Sequence, residues 1–93
     1  SDDIFIYPNP IFNQNEVTVR ISQGLEINNF SVGLYDIQGH FLNEIDIGEI
    51  SYTLEDFNEF NLSIFNNYIS SGIYFLSFNI DGKIKTKKII YLK

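Results

Sequence analysis

The sequence predicts an all-β fold, an antiparallel two-sheet β-sandwich of about seven strands with an immunoglobulin-like outline. Three observations predict it. The first is composition. The 93 residues include 16 Ile, 9 Phe, 6 Tyr and 3 Val, and no Ala, Met, Cys or Trp. β-branched and aromatic side chains suit a pleated, half-buried surface, and the best helix former is missing. The second is patterning: apolar residues alternate in short runs, with no convincing helix. The third is punctuation, because turn residues recur between the runs. The length suits a single domain, 1–93, which at this size buries roughly 60% of its unfolded-chain surface.

Each element follows in chain order. Ile4–Tyr7 is a short apolar strand ended by Pro8-Asn9-Pro10, where two residues lack a ladder donor. Glu16–Ser22 alternates, with Val17, Val19 and Ile21 on one face and Thr18 and Arg20 on the other. Phe30–Ile37 places Phe30, Val32 and Leu34 on one face. Asp36-Ile37-Gln38-Gly39 has Asp and Gly at the first and last positions of a type I turn, which predicts a three-residue hairpin loop with a glycine bulge. The return strand is His40–Ile45. Ile50, Tyr52 and Leu54 suggest one more strand in the acidic stretch 46–59. Glu59–Ile64 is a strand with Phe60, Leu62 and Ile64 in step, and Phe65–Ser71 is a loop. Ile73–Ile80 aligns Tyr74, Leu76, Phe78 and Ile80. Asn79-Ile80-Asp81-Gly82 is expected to repeat the first turn, and Lys83–Leu92 returns as the last strand.

Charge is unevenly spread. Residues 1–82 carry one basic and 12 acidic side chains, a net of −11, and residues 83–93 carry five lysines. Lysines on a terminal strand protect an open edge from aggregation. They also make a positive docking surface. Nucleic acid is excluded as a partner, because the rest of the domain would repel phosphate.

Catalytic chemistry is poorly supplied. The chain has no Cys and one His, His40, which excludes a thiol nucleophile and a multi-His metal site. His40 follows a turn glycine and reads as a surface residue. The carboxylate neighbours Glu44/Asp46 and Glu55/Asp56 sit in predicted loops or strand ends as solvated charge. No phosphate-cradling loop, nucleophile elbow or calcium-loop spacing occurs. No apolar run reaches the 18 or so residues of a membrane helix, and no signal peptide is visible. The expectation is a monomeric, non-enzymatic domain without cofactor, metal or transmembrane segment. A carbohydrate-binding or adhesive module is the alternative, with Tyr35, Tyr52, Tyr68 or Tyr91 stacking on sugars.

Five short segments carry a more specific signal. Tyr7-Pro8-Asn9-Pro10 opens the chain, and Leu34-Tyr35-Asp36-Ile37-Gln38-Gly39 forms the first hairpin. Asn61-Leu62-Ser63 precedes Gly72-Ile73-Tyr74-Phe75-Leu76, and Lys87-Lys88-Ile89-Ile90-Tyr91-Leu92 closes it. In this order they resemble the type A C-terminal sorting domain of the type IX (Por) secretion system of Bacteroidetes. The resemblance runs from Ile6 to Leu92. Two stretches depart from the family pattern: Ile64–Tyr68 looks inserted, and Ile69-Ser70-Ser71 replaces a more usual Leu-Pro-Ala.

The resemblance implies a secretion signal on the end of a longer secreted precursor whose cargo domain lies upstream. The signal is read by the outer-membrane translocon with its shuttle component, then removed by a sortase-like protease. The route runs through the periplasm to the outer-membrane surface or the medium. The implied motif residues are Tyr7, Pro8, Asn9, Pro10, Gly39, Gly72, Tyr74, Lys87 and Lys88. Gly72, Tyr74, Lys87 and Lys88 are the expected recognition residues, with the last hairpin offering its edge for strand addition. Gly39 and Gly82 are expected to serve the fold.

Overall fold

The computed structural model describes residues 4–21, 29–45, 51–52, 58–63 and 69–93. Among them the chain forms nine strands and no helix. These are β1 (Ile4–Tyr7), β2 (Ile11–Phe12), β3 (Glu16–Ile21), β4 (Phe30–Tyr35), β5 (Phe41–Ile45), β6 (Ser51–Tyr52), β7 (Asn58–Ser63), β8 (Gly72–Ile80) and β9 (Lys83–Leu92). One sheet runs β1-β3-β7-β6 and the other β2-β9-β8-β4-β5. In the immunoglobulin sandwich, strands A, B, E and D face C, F and G, with C′ added in variable-type domains. Here β1, β3, β7 and β6 take the first set of places, and β4, β8, β9 and β5 the second.

Period-two alternation builds the core. Val17, Val19 and Ile21 point inward from β3, Val32 and Leu34 from β4, and Tyr74, Leu76 and Phe78 from β8. They join Phe60, Leu62, Ile89 and Tyr91 in one buried cluster. Phe30 meets Phe60 of the opposite sheet edge-on, with ring centroids 4.8 Å apart. Such a pair adds about 0.5–1.5 kcal/mol beyond the area it buries.

Several boundaries differ from the sequence expectation. Nine strands replace about seven because β2 and β6 are each two residues long. β6 lies in the region of the strand suggested by Ile50, Tyr52 and Leu54; residues 50 and 54, like Ser22 and Ile64, lie outside the described residues. Of the predicted loop Phe65–Ser71, residues 69–71 are described, and they form no strand. β4 ends at Tyr35 rather than Ile37, and β5 starts at Phe41 rather than His40. The reason is Asp36. Its Oδ1 accepts the N–H groups of Gln38 (2.9 Å) and His40 (2.8 Å), and its carbonyl accepts the N–H of Gly39 (3.0 Å). Gly39 takes the positive φ of 85° that the bulge requires.

The second hairpin does not repeat the first. Asp81 and Gly82 both have positive φ, 49° and 90°, and Ile80 faces Lys83 directly. This is a two-residue type I′ turn, which matches the strand twist. Asn79 Oδ1 accepts the Gly82 N–H at 3.0 Å, so its side chain closes the loop.

The prolines do more than end β1. Between Tyr7 and Ile11 the chain leaves the first sheet and joins the second, where β2 runs parallel to the end of β9. That pair is the one exception to antiparallel order among the described strands. It also makes β9 an edge strand along only half its length.

Candidate functional site

Most of the residues singled out from the sequence gather around β9, but in three different ways. Pro8, Asn9 and Pro10 are exposed and lie beside it. The Asn9 side chain donates through Nδ2 to the Lys88 carbonyl (3.1 Å) and accepts the Ile90 N–H through Oδ1 (3.0 Å). Proline lacks an N–H, so this segment cannot pair fully through its backbone. The Asn9 amide carries one donor group and one acceptor and makes the contacts a neighbouring strand would make. Ile11 follows, fully buried, and the Asn13 N–H donates to the Leu92 carbonyl at 2.7 Å. The opening motif is thereby fastened to the closing motif across about 80 residues of sequence. Tyr7 points from the opposite sheet instead, its hydroxyl 3.3 Å from Glu59 Oε2, an atom that also accepts from Arg20 Nε at 3.0 Å.

The second group serves packing. Tyr74 is 8% exposed, and its hydroxyl donates to the Ser70 carbonyl at 2.6 Å. A tyrosine near the start of strand F that bonds back to the upstream backbone is the tyrosine corner of immunoglobulin-like sandwiches. Ser71 Oγ accepts the Lys93 N–H at 2.9 Å, which ties the segment before Gly72 to the end of β9. Gly72 lies opposite Tyr91 with an ordinary φ, and a Cβ there would meet no atom closer than 4.0 Å. Nothing in the structure explains a glycine at that position. Gly39 and Gly82 are required by their positive φ alone.

The lysines form the third group. Alternation sends Lys87 and Lys88 to opposite faces of the sheet. Lys87 lies opposite the buried Leu76 and is half-buried on the inner side, as is Lys85 opposite Phe78. Such side chains bury their stems and hold their ammonium groups at the rim. Lys88 is exposed on the outer side opposite Phe75. There it ends a cross-strand row of Phe41, Tyr35, Phe75 and Lys88. Tyr35 and Phe41 meet at 65°, edge to face, and do not make a flat sugar-stacking platform. Tyr91 is 3% exposed, which removes it from the aromatics expected to stack on a glycan, and residue 68 lies outside the described residues.

His40 is part of the first turn. Its Nδ1 lies 3.2 Å from Asp36 Oδ2, at the surface. The backbone N–H of His40, then that of Gln38 and the histidine charge, hold the Asp36 carboxyl below its ordinary value of 3.8. Of the carboxylate pairs read from the sequence, only Glu44 lies among the described residues. No group of three or more metal-ligating side chains occurs among those residues.

The Asn9 clamp was not foreseen. Its only sequence signal is an asparagine held between two prolines. The partner could not be read, because nothing local points to residues 88 and 90.

An immunoglobulin-like sandwich that locks its opening motif onto its last strand is a domain organised around its C-terminal end. The chain belongs to the secretion system C-terminal sorting domain family, whose model matches residues 5–92. As a type IX secretion tail, it marks its protein as cargo for export toward the outer membrane or the extracellular space. No curated protein matches the chain significantly. Among solved structures it is similar to CopC from Methylosinus trichosporium OB3b. The TM-score is 0.53 and the identity 18%, over 96% of this chain and 91% of that one. At that identity the likeness concerns the fold alone.

Proposed function

We propose that residues 1–93 form one sorting domain at the end of a longer precursor, where it acts without catalysis, as a monomer, first as a ligand and then as a protease substrate. The outer-membrane translocon reads it with its shuttle component after passage through the periplasm. A sortase-like protease then cuts it from the upstream cargo, which reaches the cell surface or the medium. The observation that carries this reading is the Asn9 clamp, because it makes the ends of the family motif one surface centred on β9. On that surface Lys88 faces outward and Lys87 lines the inner rim. Gly72 and Tyr74 shape the neighbouring strand.

A reporter fused to this domain in a host with the secretion system tests the reading. Replacing Lys87 and Lys88 together by Ala should leave the circular dichroism spectrum unchanged and trap the reporter in the periplasm. Normal export of that variant removes the lysines from the signal. Normal export after deletion of the whole domain removes the signal function.

A further inference from the structure

Among the described residues, the part of the β9 edge without a neighbouring strand is short and sharply bounded. In a two-residue hairpin the residues flanking the turn form a hydrogen-bonded pair, and bonded and non-bonded pairs alternate from there. Lys83, Lys85, Lys87, Ile89 and Tyr91 therefore bond β8. Residues 84, 86, 88, 90 and 92 turn their backbone groups to the other side. The observed contacts agree: the Lys88 carbonyl and Ile90 N–H meet Asn9, and the Leu92 carbonyl meets Asn13. What remains is the N–H and carbonyl of Ile84 and Thr86 and the N–H of Lys88. No strand among the described residues lies beside them.

Two features say what fits there. The inner rim is positive, carrying Lys83, Lys85 and Lys87. The outer side presents Ile84, 60% exposed, and Thr86, a methyl-bearing β-branched side chain. An antiparallel second copy of β9 would set lysine against lysine, which is destabilising. A neutral strand would gain backbone bonds but bring no charge complementary to the positive rim. A strand with carboxylates at alternate positions and β-branched residues between them complements the backbone edge, the positive rim and the apolar side together.

We propose that residues 84–88 are a strand-addition site for an extended, acidic segment of a partner protein, with the Asn9 clamp setting its limit. The inference rests on the sorting-signal reading only for where that partner is met. It names the chemistry of the partner, and it excludes self-association through this edge.

The test uses the domain and a capped heptapeptide, Thr-Glu-Val-Glu-Thr-Glu-Thr, with a control in which every Glu is replaced by Lys. Native-state amide exchange reads the result. The acidic peptide at millimolar concentration should slow exchange of the Ile84, Thr86 and Lys88 amides by at least about tenfold, leaving Lys85 and Lys87, already bonded to β8, little changed. The lysine peptide should slow none of them. Thr86→Pro should abolish the protection without touching a bond to β8, since the N–H it deletes faces outward. Unprotected amides with the acidic peptide, equal protection by both peptides, or protection that rises with protein concentration alone would each overturn the proposal. If that variant does not fold, exchange in the unaltered domain still decides. Reporter export is measured separately, so an edge that binds no acidic strand leaves the sorting reading intact.

Discussion

The two halves of β9 share one strand, one partner in β8 and one alternation, yet they have opposite surroundings. From Ile89 to Leu92 the strand is enclosed. Ile89 and Tyr91 enter the core, and Asn9, β2 and Asn13 close the far edge. From Lys83 to Lys87 it is open, with lysines where core residues would otherwise begin. Inward-pointing charge is a known way to protect a sheet edge. The contrast shows how one strand both anchors a fold and keeps an open edge: apolar residues close one end, and charge keeps the other in water.

The largest expected effect sets a buried against an open isoleucine. Ile89→Ala removes a side chain with no exposed surface and should cost about 2–5 kcal/mol in urea unfolding. Ile84→Ala, five residues earlier on the same strand, should change stability by no more than about 0.5 kcal/mol. Similar costs at both positions would break the comparison.

Asn9→Ala sharpens it by making the closed half resemble the open one. Two hydrogen bonds disappear at an exposed site, so the loss of stability should be about 1 kcal/mol. The Ile90 amide should exchange faster, toward the rate at Thr86. An unchanged Ile90 rate would mean that β2 alone holds the edge.

The smallest effect concerns pH and separates the neutral clamp from the charged first turn. The Asp36 carboxyl is held below its ordinary 3.8, so the turn is favoured fully above that value and loses this support as pH falls through the folded-state value. Acidification below 3.8 should therefore speed exchange at Gln38 and His40, after correction for the intrinsic pH dependence. Ile90, bonded to an amide that does not titrate, should keep its protection. Equal loosening at both places would show global unfolding instead.

Much of the fold was legible. Val17, Val19 and Ile21, and Tyr74, Leu76 and Phe78, alternate as sheet geometry demands, and each set points inward. Asp36 with Gly39, and Asn79 with Gly82, marked both hairpins, though the second was expected to repeat the first and instead takes positive φ at Asp81 and Gly82. Lys87 and Lys88 had been grouped together, whereas alternation along β9 sends them to opposite faces. The site was legible only as a set of motif residues. Tyr74 had been expected to meet a partner; the structure packs its ring and sets its hydroxyl on the Ser70 carbonyl. Asn9 had been read as part of the opening motif, with no structural partner named for it.

By itself, then, the sequence determined strands, turns, the inward faces and the concentration of positive charge near the end. These depend on side-chain period and local turn chemistry, which act over a few residues. Tertiary structure alone decided that the Pro-Asn-Pro segment changes sheets, that Asn9 bonds a strand about 80 residues away, and therefore which half of β9 is closed. Those outcomes depend on which chain segments become neighbours, a choice made by burying both sheets in one core rather than by any local preference.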